Sequence, residues 1–134
     1  MMKWSRPDVL NAVQDLTRQM SAATMCHVKA MKQVMTYLTA TPKRGLTLKP
    51  SEKWDGSKEF EFTISGFSDS DFAKEPTERK SVSGWAVFLN GAPILMRSKM
   101  QDCTMLLVTE AELVAAMACA QDMWFLMRLM ESIG

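Results

Sequence analysis

The stretch that decides the fold runs from Gly66 to Gly91, "GFSDSDFAKEPTERKSVSGWAVFLNG". Asp69 and Asp71 stand two residues apart in it. If the strand pattern that enters the stretch continues through them, both carboxylates point to one face, because side chains alternate along a strand. Like charges held close repel, and burying them is costly unless something positive sits between them. A divalent cation meets that need, and Mg²⁺ takes carboxylate oxygens while keeping several waters. The alternative is that the strand has ended by Ser68 and "SDSD" is a polar loop or a helix cap. The stretch alone leaves both open. Further on, Val82–Leu89 reads as a strand, Asn90-Gly91 as a tight turn and "APILMRSK" as the returning strand, which together make a β-hairpin.

Downstream, "TEAELVAAMACAQDMWFLMRLMESIG" reads as one helix. Ala, Leu, Met and Glu dominate it, and no Gly or Pro interrupts it before Gly134. Leu113 to Ala120 is apolar on every side, which predicts deep burial. Trp124 and Phe125 are then expected in the core rather than as base-stacking platforms. Glu110 follows Thr109 directly and suits a first-turn capping role. Glu112 leads straight into the apolar run and can be aimed at the adjoining sheet. Its chemistry becomes interesting if it converges with Asp69 on one metal.

Upstream, Phe60, Phe62 and Ile64 alternate with polar residues, a strand periodicity, after a turn signal at Asp55-Gly56. Two helices are predicted before that. In "SRPDVLNAVQDLTRQM", Pro7 suits a first helical position, Asp8 the first turn, and Val9, Val13, Leu16 and Met20 recur at helical spacing. In "SAATMCHVKAMKQVMTYLTATPKRG", Thr24 can cap, Val28, Met31, Met35 and Leu38 form a stripe, and Pro42 and Gly45 end the helix. A short link makes the two a helical hairpin. His27 has no further ligands at zinc spacing.

Composition narrows the function classes. With 134 residues and 47% hydrophobic content the chain can build a core, which argues against disorder. A net charge of +1 names no partner by itself, so only local clusters can. Lys29, Lys32, Lys43 and Arg44 form one cluster; Arg79, Lys80, Arg97 and Lys99 border the hairpin. Either group suits the phosphates of a duplex, or an ordinary solvated surface. The three cysteines show no paired spacing and read as reduced thiols. The 13 methionines are expected as core filler. There is no secretory-signal pattern, and the unbroken apolar runs fall short of the ~20 residues that span a bilayer. The expectation is an intracellular protein, cytoplasmic or nuclear, with no membrane partner.

These motifs together resemble the ribonuclease H domain of copia-type retrotransposon polyproteins. The residues that carry the likeness are Gly66-Phe67-Ser68-Asp69-Ser70-Asp71-Phe72-Ala73, Arg79-Lys80-Ser81-Val82-Ser83-Gly84, Ser98-Lys99-Met100-Gln101 and Thr109-Glu110-Ala111-Glu112. The first third resembles the connection at the end of the reverse transcriptase, through Arg6-Pro7-Asp8-Val9, His27, Lys32, Tyr37-Leu38 and Gly45-Leu46. The resemblance covers essentially the whole chain. It implies an α/β, ribonuclease H-like mixed sheet, with three antiparallel strands and then a central helix, over residues 45–134. A two-helix connection segment, 1–44, precedes it, with His27 in a structural helix, where it is expected to pack.

The resemblance also implies chemistry: two Mg²⁺ ions, or Mn²⁺, held by acidic residues that cut the RNA strand of an RNA–DNA hybrid. Asp69 and Glu112 match metal-binding acids, Asp71 a further acidic position of the group, and Lys80, Arg79, Lys99 and Lys32 candidate nucleic-acid contacts. The family's third and fourth acids, the third in an Asp-Asn motif, have no counterpart before Gly134. The expectation is therefore a C-terminally truncated domain, inactive alone, whose first strand has an open edge that the N-terminal helices cover or that pairs two copies. The alternative reading is a non-catalytic module, derived from the retroelement, that binds nucleic acid or dimerises.

Overall fold

A computed structural model describes residues 5–57, 59–75 and 78–133. The chain divides into two compact units, residues 1–46 and 47–134.

In the first unit, Pro7–Val9 forms a short 3₁₀ turn that leads into α1, Leu10–Arg18. Pro7 sits at the opening position because it has no N–H to leave unsatisfied. A second 3₁₀ turn, Met20–Ala22, leads to α2, Met25–Ala40. The helices pack as a hairpin. Val13, Leu16 and Met20 face Val28, Met31 and Met35 across an apolar groove of about 410 Å³. His27, expected as packing, is instead a cap: the Thr24 N–H donates to its Nδ1 at 3.0 Å, which satisfies one orphan donor of α2.

A polar latch closes the open end of this hairpin. Arg6 donates to both Asp8 carboxylate oxygens, at 3.0 and 2.9 Å, and to the Thr41 carbonyl at 2.9 Å. Its guanidinium lies 5.4 Å from the centre of the Tyr37 ring. The Tyr37 hydroxyl donates to Asp8 at 2.8 Å and accepts from Arg44 at 2.8 Å. Bidentate charge-assisted pairing of this kind is the strong form of the hydrogen bond.

The second unit is a three-stranded antiparallel sheet with one long helix on it. The strands are β1, Ile64–Asp71, β2, Val82–Leu89, and β3, Ala92–Met100, in spatial order β1-β2-β3. Asn90 and Gly91 turn the β2–β3 hairpin with φ of 48° and 76°, the left-handed pair that a two-residue turn of this twist requires. β1 begins at Ile64, four residues later than the alternation from Phe60 predicts. The reason is partnership: Ile64 faces Leu89, the last residue of β2, so nothing remains for Phe60 and Phe62 to pair with. Thr63 instead bonds to the turn, its N–H donating to Asn90 Oδ1 at 2.7 Å, and Phe60, Phe62 and Trp54 contact one another as rings.

The long helix α3, Val108–Ile133, crosses the sheet on β1 and β2. Its contact stripe is made of small residues, Ala111, Ala115 and Cys119, all buried. Cys119 joins Trp85 and Val87 in the core, and Ile64, Leu95, Met123 and Leu126 pack around them. Gly66 marks the closest approach: a Cβ built there would lie 2.5 Å from Met123 Sδ and 2.6 Å from Cys119 Sγ.

Deep burial of the whole helix is overturned. Leu113 and Met117 are exposed, and Trp124 and Phe125 are 61% and 65% exposed rather than core. A three-stranded sheet offers one apolar face to one stripe of a helix, and no other described helix or strand of this unit covers the other side. The methionines divide: Met20, Met25, Met31, Met35 and Met117 are exposed, whereas Met123 packs against the core as expected. By length and composition α3 is also apolar enough to cross a membrane.

Candidate active site

Asp69 and Glu112 line the same cleft, between the end of β1 and the first turn of α3. It measures about 280 Å³, and Ser68, Thr109, Leu113 and Ala116 complete its lining. Strand geometry persists through Asp71, so Asp69 and Asp71 do share a face, and the loop alternative is excluded. That face is the one turned away from α3. Gly66 meets Cys119 and Met123 of the helix, which places Ser68 and Ser70 on the helix side and Phe67, Asp69 and Asp71 on the other. Phe67 there stacks edge-on against Phe88, with ring centres 5.7 Å apart. Asp69 nevertheless borders the cleft, next to Ser68 on the same outer strand of the described sheet.

The two carboxylates are held differently. Asp69 accepts the Ser70 N–H at 2.8 Å, a local bond that leaves its second oxygen available. Glu112 is exposed and makes no hydrogen bond or ion pair with the described residues, so its carboxylate is unspent. Glu110, by contrast, caps the helix: its Oε2 accepts from the Leu106 and Leu107 N–H groups at 2.9 and 3.2 Å. One Glu of the pair is consumed by the backbone and the other faces the cleft. Asp71 lies beyond the cleft lining and pairs with Lys74 at 3.4 Å.

Among the described residues no group of three or more His, Cys, Asp or Glu side chains gathers in metal-binding geometry. The acidic residues that line the cleft are thus two, Asp69 from β1 and Glu112 from α3. That set fits one hard cation that keeps most of its water, and it does not fill a two-ion site.

The basic candidates fall into three places. Arg79 sits in the loop after β1 with φ of 54°, a left-handed conformation that a side-chain-bearing residue adopts at some cost. Lys80 pairs with Glu78, which raises its pKa, and Lys99 pairs with Asp102 at 3.2 Å. Lys32 lies exposed on α2, in the other unit. The Arg79–Lys80 loop is tied down: Glu75 N–H donates to the Lys80 carbonyl at 3.1 Å, and Ala73 N–H to Ser81 Oγ at 3.1 Å. Pro76 and Thr77 lie outside the described residues.

Residue-type reasoning missed Ser68 and Thr109, whose positions next to Asp69 and Glu110 were the available signal. It also missed Gln101, which is almost wholly buried. Gln101 donates through Nε2 to Ser83 Oγ at 2.9 Å and to the Ala111 carbonyl at 2.8 Å.

Comparison with known proteins gives the chain its relatives. It is 29% identical over 133 residues, 99% of its length, to the Retrovirus-related Pol polyprotein from transposon RE1 of Arabidopsis thaliana. It is 30% identical over 133 residues to the Retrovirus-related Pol polyprotein from transposon TNT 1-94 of Nicotiana tabacum. The matched part is 8% and 9% of those two polyproteins, so the chain spans less than a tenth of their length. It is also 32% identical over 135 residues to Secreted RxLR effector protein 161 of Plasmopara viticola, of which the match covers 89%. No family model matches the chain, and no solved structure does. Matched over nearly its whole length by polyproteins of plant transposons, the chain belongs to the copia-type retrotransposon polyproteins.

Proposed function

We propose that residues 45–134 form the ribonuclease H-like part of a retrotransposon polyprotein. In this reading Asp69 and Glu112 hold Mg²⁺, or Mn²⁺, at a site for hydrolysing the RNA strand of an RNA–DNA hybrid. The observation that carries the reading is the shared cleft: the aspartate near the end of β1 and the glutamate just past the first turn of α3 line one open space. A bound Mg²⁺ would supply a Lewis acid that polarises a phosphate oxygen and lowers the pKa of a bound water. The chain's own residues do the rest. Asp69 binds from β1 and Glu112 from α3, and Asp71 adds negative charge on the strand face of Asp69. Arg79, Lys80 and Lys99 are candidates to take the phosphates of the duplex, with Lys32 on the helical unit. With two carboxylates in the cleft, the chain alone should bind a cation weakly and cut slowly or not at all.

The test is direct. Mn²⁺ titrated into isotope-labelled protein should broaden the amide signals around Asp69 and Glu112, and Asp69→Asn or Glu112→Gln should each abolish the effect. Broadening indifferent to both substitutions overturns the site.

A second reading is favoured by the place of β1 as an outer strand of the sheet and by the exposed apolar residues of α3. It is a non-catalytic module that binds nucleic acid or pairs with a second copy. The relative named as a secreted effector, matched over nearly its full length, also supports a role outside a polyprotein. Salt-dependent binding to a hybrid, with no cleavage in either metal and no Mn²⁺ effect at Asp69, would favour it over the first.

A further inference from the structure

The side chain of Gln101 is 4% exposed and ties three elements together. It stands just after β3, and its backbone N–H donates to the Ser81 carbonyl at 2.8 Å. Its carboxamide nitrogen reaches Ser83 on β2 and the Ala111 carbonyl in the first turn of α3. The Ala111 carbonyl belongs to the same peptide unit as the Glu112 N–H. Holding that peptide fixes the rotation of the first turn about the helix axis, and with it the direction in which Glu112 leaves the helix. On the sheet side, Ser83 faces Ser70 in the ladder, and Ser70 is the neighbour of Asp69. One buried amide therefore links the peptide of Glu112 to the strand register that places Asp69.

The orientation of the amide is informative. Two buried atoms, Gln101 Oε1 and Ser70 Oγ, have no partner among the described residues. Rotating the amide by half a turn would offer Oε1 to the Ser83 hydroxyl but set it against the Ala111 carbonyl, acceptor to acceptor. The bond to α3 decides the orientation, and an acceptor is left unpaired as the consequence. Most buried polar atoms find partners, and of the two amide atoms the one left over here is the oxygen, not the nitrogen bonded to the helix.

We propose that Gln101 is a positioning residue for the Asp69–Glu112 cleft, acting on Glu112 through the Ala111 carbonyl. The inference rests on the metal-site reading above.

The test uses the full chain, with Mn²⁺ as the probe and electron paramagnetic resonance to measure its affinity. Gln101→Met keeps the length of the side chain and removes both bonds. It should weaken Mn²⁺ binding about tenfold, the scale seen when residues that orient metal ligands are lost. Broadening should persist at Asp69 and fade at Glu112. A merely structural Gln101 would lower the unfolding midpoint yet leave Mn²⁺ affinity unchanged at temperatures where the variant is folded, and that result overturns the proposal. If Gln101→Met does not fold, Ser83→Ala decides. It frees the amide from β2 and should weaken Mn²⁺ binding about threefold, a fraction of the loss for orienting residues; unchanged affinity overturns the proposal. A wild-type chain that binds no Mn²⁺ at Asp69 and Glu112 overturns the metal reading and this inference with it. A wild type that binds, beside a Gln101→Met variant that binds equally, overturns this inference alone.

Discussion

The indole N–H of Trp85 donates to Asp122 at 2.6 Å, and Arg97 Nε stands 3.2 Å from the same carboxylate oxygen. Trp85 and Arg97 face each other across β2 and β3, so one carboxylate on α3 pins the helix to two strands at once. Asp122→Ala leaves a buried indole donor without a partner, which costs about 1–3 kcal/mol. Asp122→Asn keeps an acceptor and should cost less. Urea unfolding followed by Trp fluorescence and by helical circular dichroism checks the order. Equal midpoints for the two variants would show that the Trp85 bond contributes nothing.

Gly66 is where α3 comes closest to the sheet. Gly66→Ala sets a methyl group against Cys119 Sγ and Met123 Sδ. Met123 can move aside; the short Cys119 side chain cannot. The variant should lose about 1–3 kcal/mol through overpacking. Cys119→Ala should return much of that loss, a coupling that a double-mutant cycle reads from four unfolding curves. Additive effects would mean that Cys119 is not the obstacle.

The Asp8 latch predicts a pH dependence of the helical hairpin. Hydrogen bonds from Arg6, above all, and from Tyr37 hold the Asp8 carboxyl at a pKa of about 2, against an ordinary value of 3.8. A carboxylate whose pKa is depressed in the folded state stabilises above its unfolded pKa. That stabilisation is lost as pH falls from about 4 through about 2. Asp8→Asn should be less stable than wild type at neutral pH, and the gap should close through that window. A gap that stays constant from pH 6 to pH 2 would refute the latch.

Cysteine reactivity should separate by position. Cys26 and Cys103 are exposed, whereas Cys119 is buried, and burial pushes its thiol pKa up. Thiolate is the reactive form, so iodoacetamide should modify two sites quickly in the native protein and Cys119 only on unfolding. Mass spectrometry of timed digests counts them. Rapid native labelling of Cys119 would place α3 off the sheet.

The elements were legible where a local signal was complete. The β2 and β3 hairpin follows from alternation and an Asn-Gly turn, α2 from Thr24 and its apolar stripe, and α3 from an unbroken run of strong helix formers. The start of β1 was not legible. Phe60 and Phe62 have perfect strand periodicity, and what denies them a strand is the length of β2, a partner elsewhere in the chain. His27 was misread for a similar reason. The family resemblance implied packing, while the place of His27 three residues after Thr24 made it a cap.

Within the candidate site, the sequence alone singled out Asp69 and Glu112 as candidates, because the motif spacing around them is a property of the chain itself. Tertiary structure decided where they stand: along one cleft beside an outer strand, with Asp69 on the face away from the helix. It also decided that Glu110 caps while Glu112 stays free, and that α3 buries one narrow stripe and exposes Trp124 and Phe125. The physical reason is that periodicity fixes which side chains share a face, whereas burial and metal-binding geometry depend on what other elements lie opposite that face.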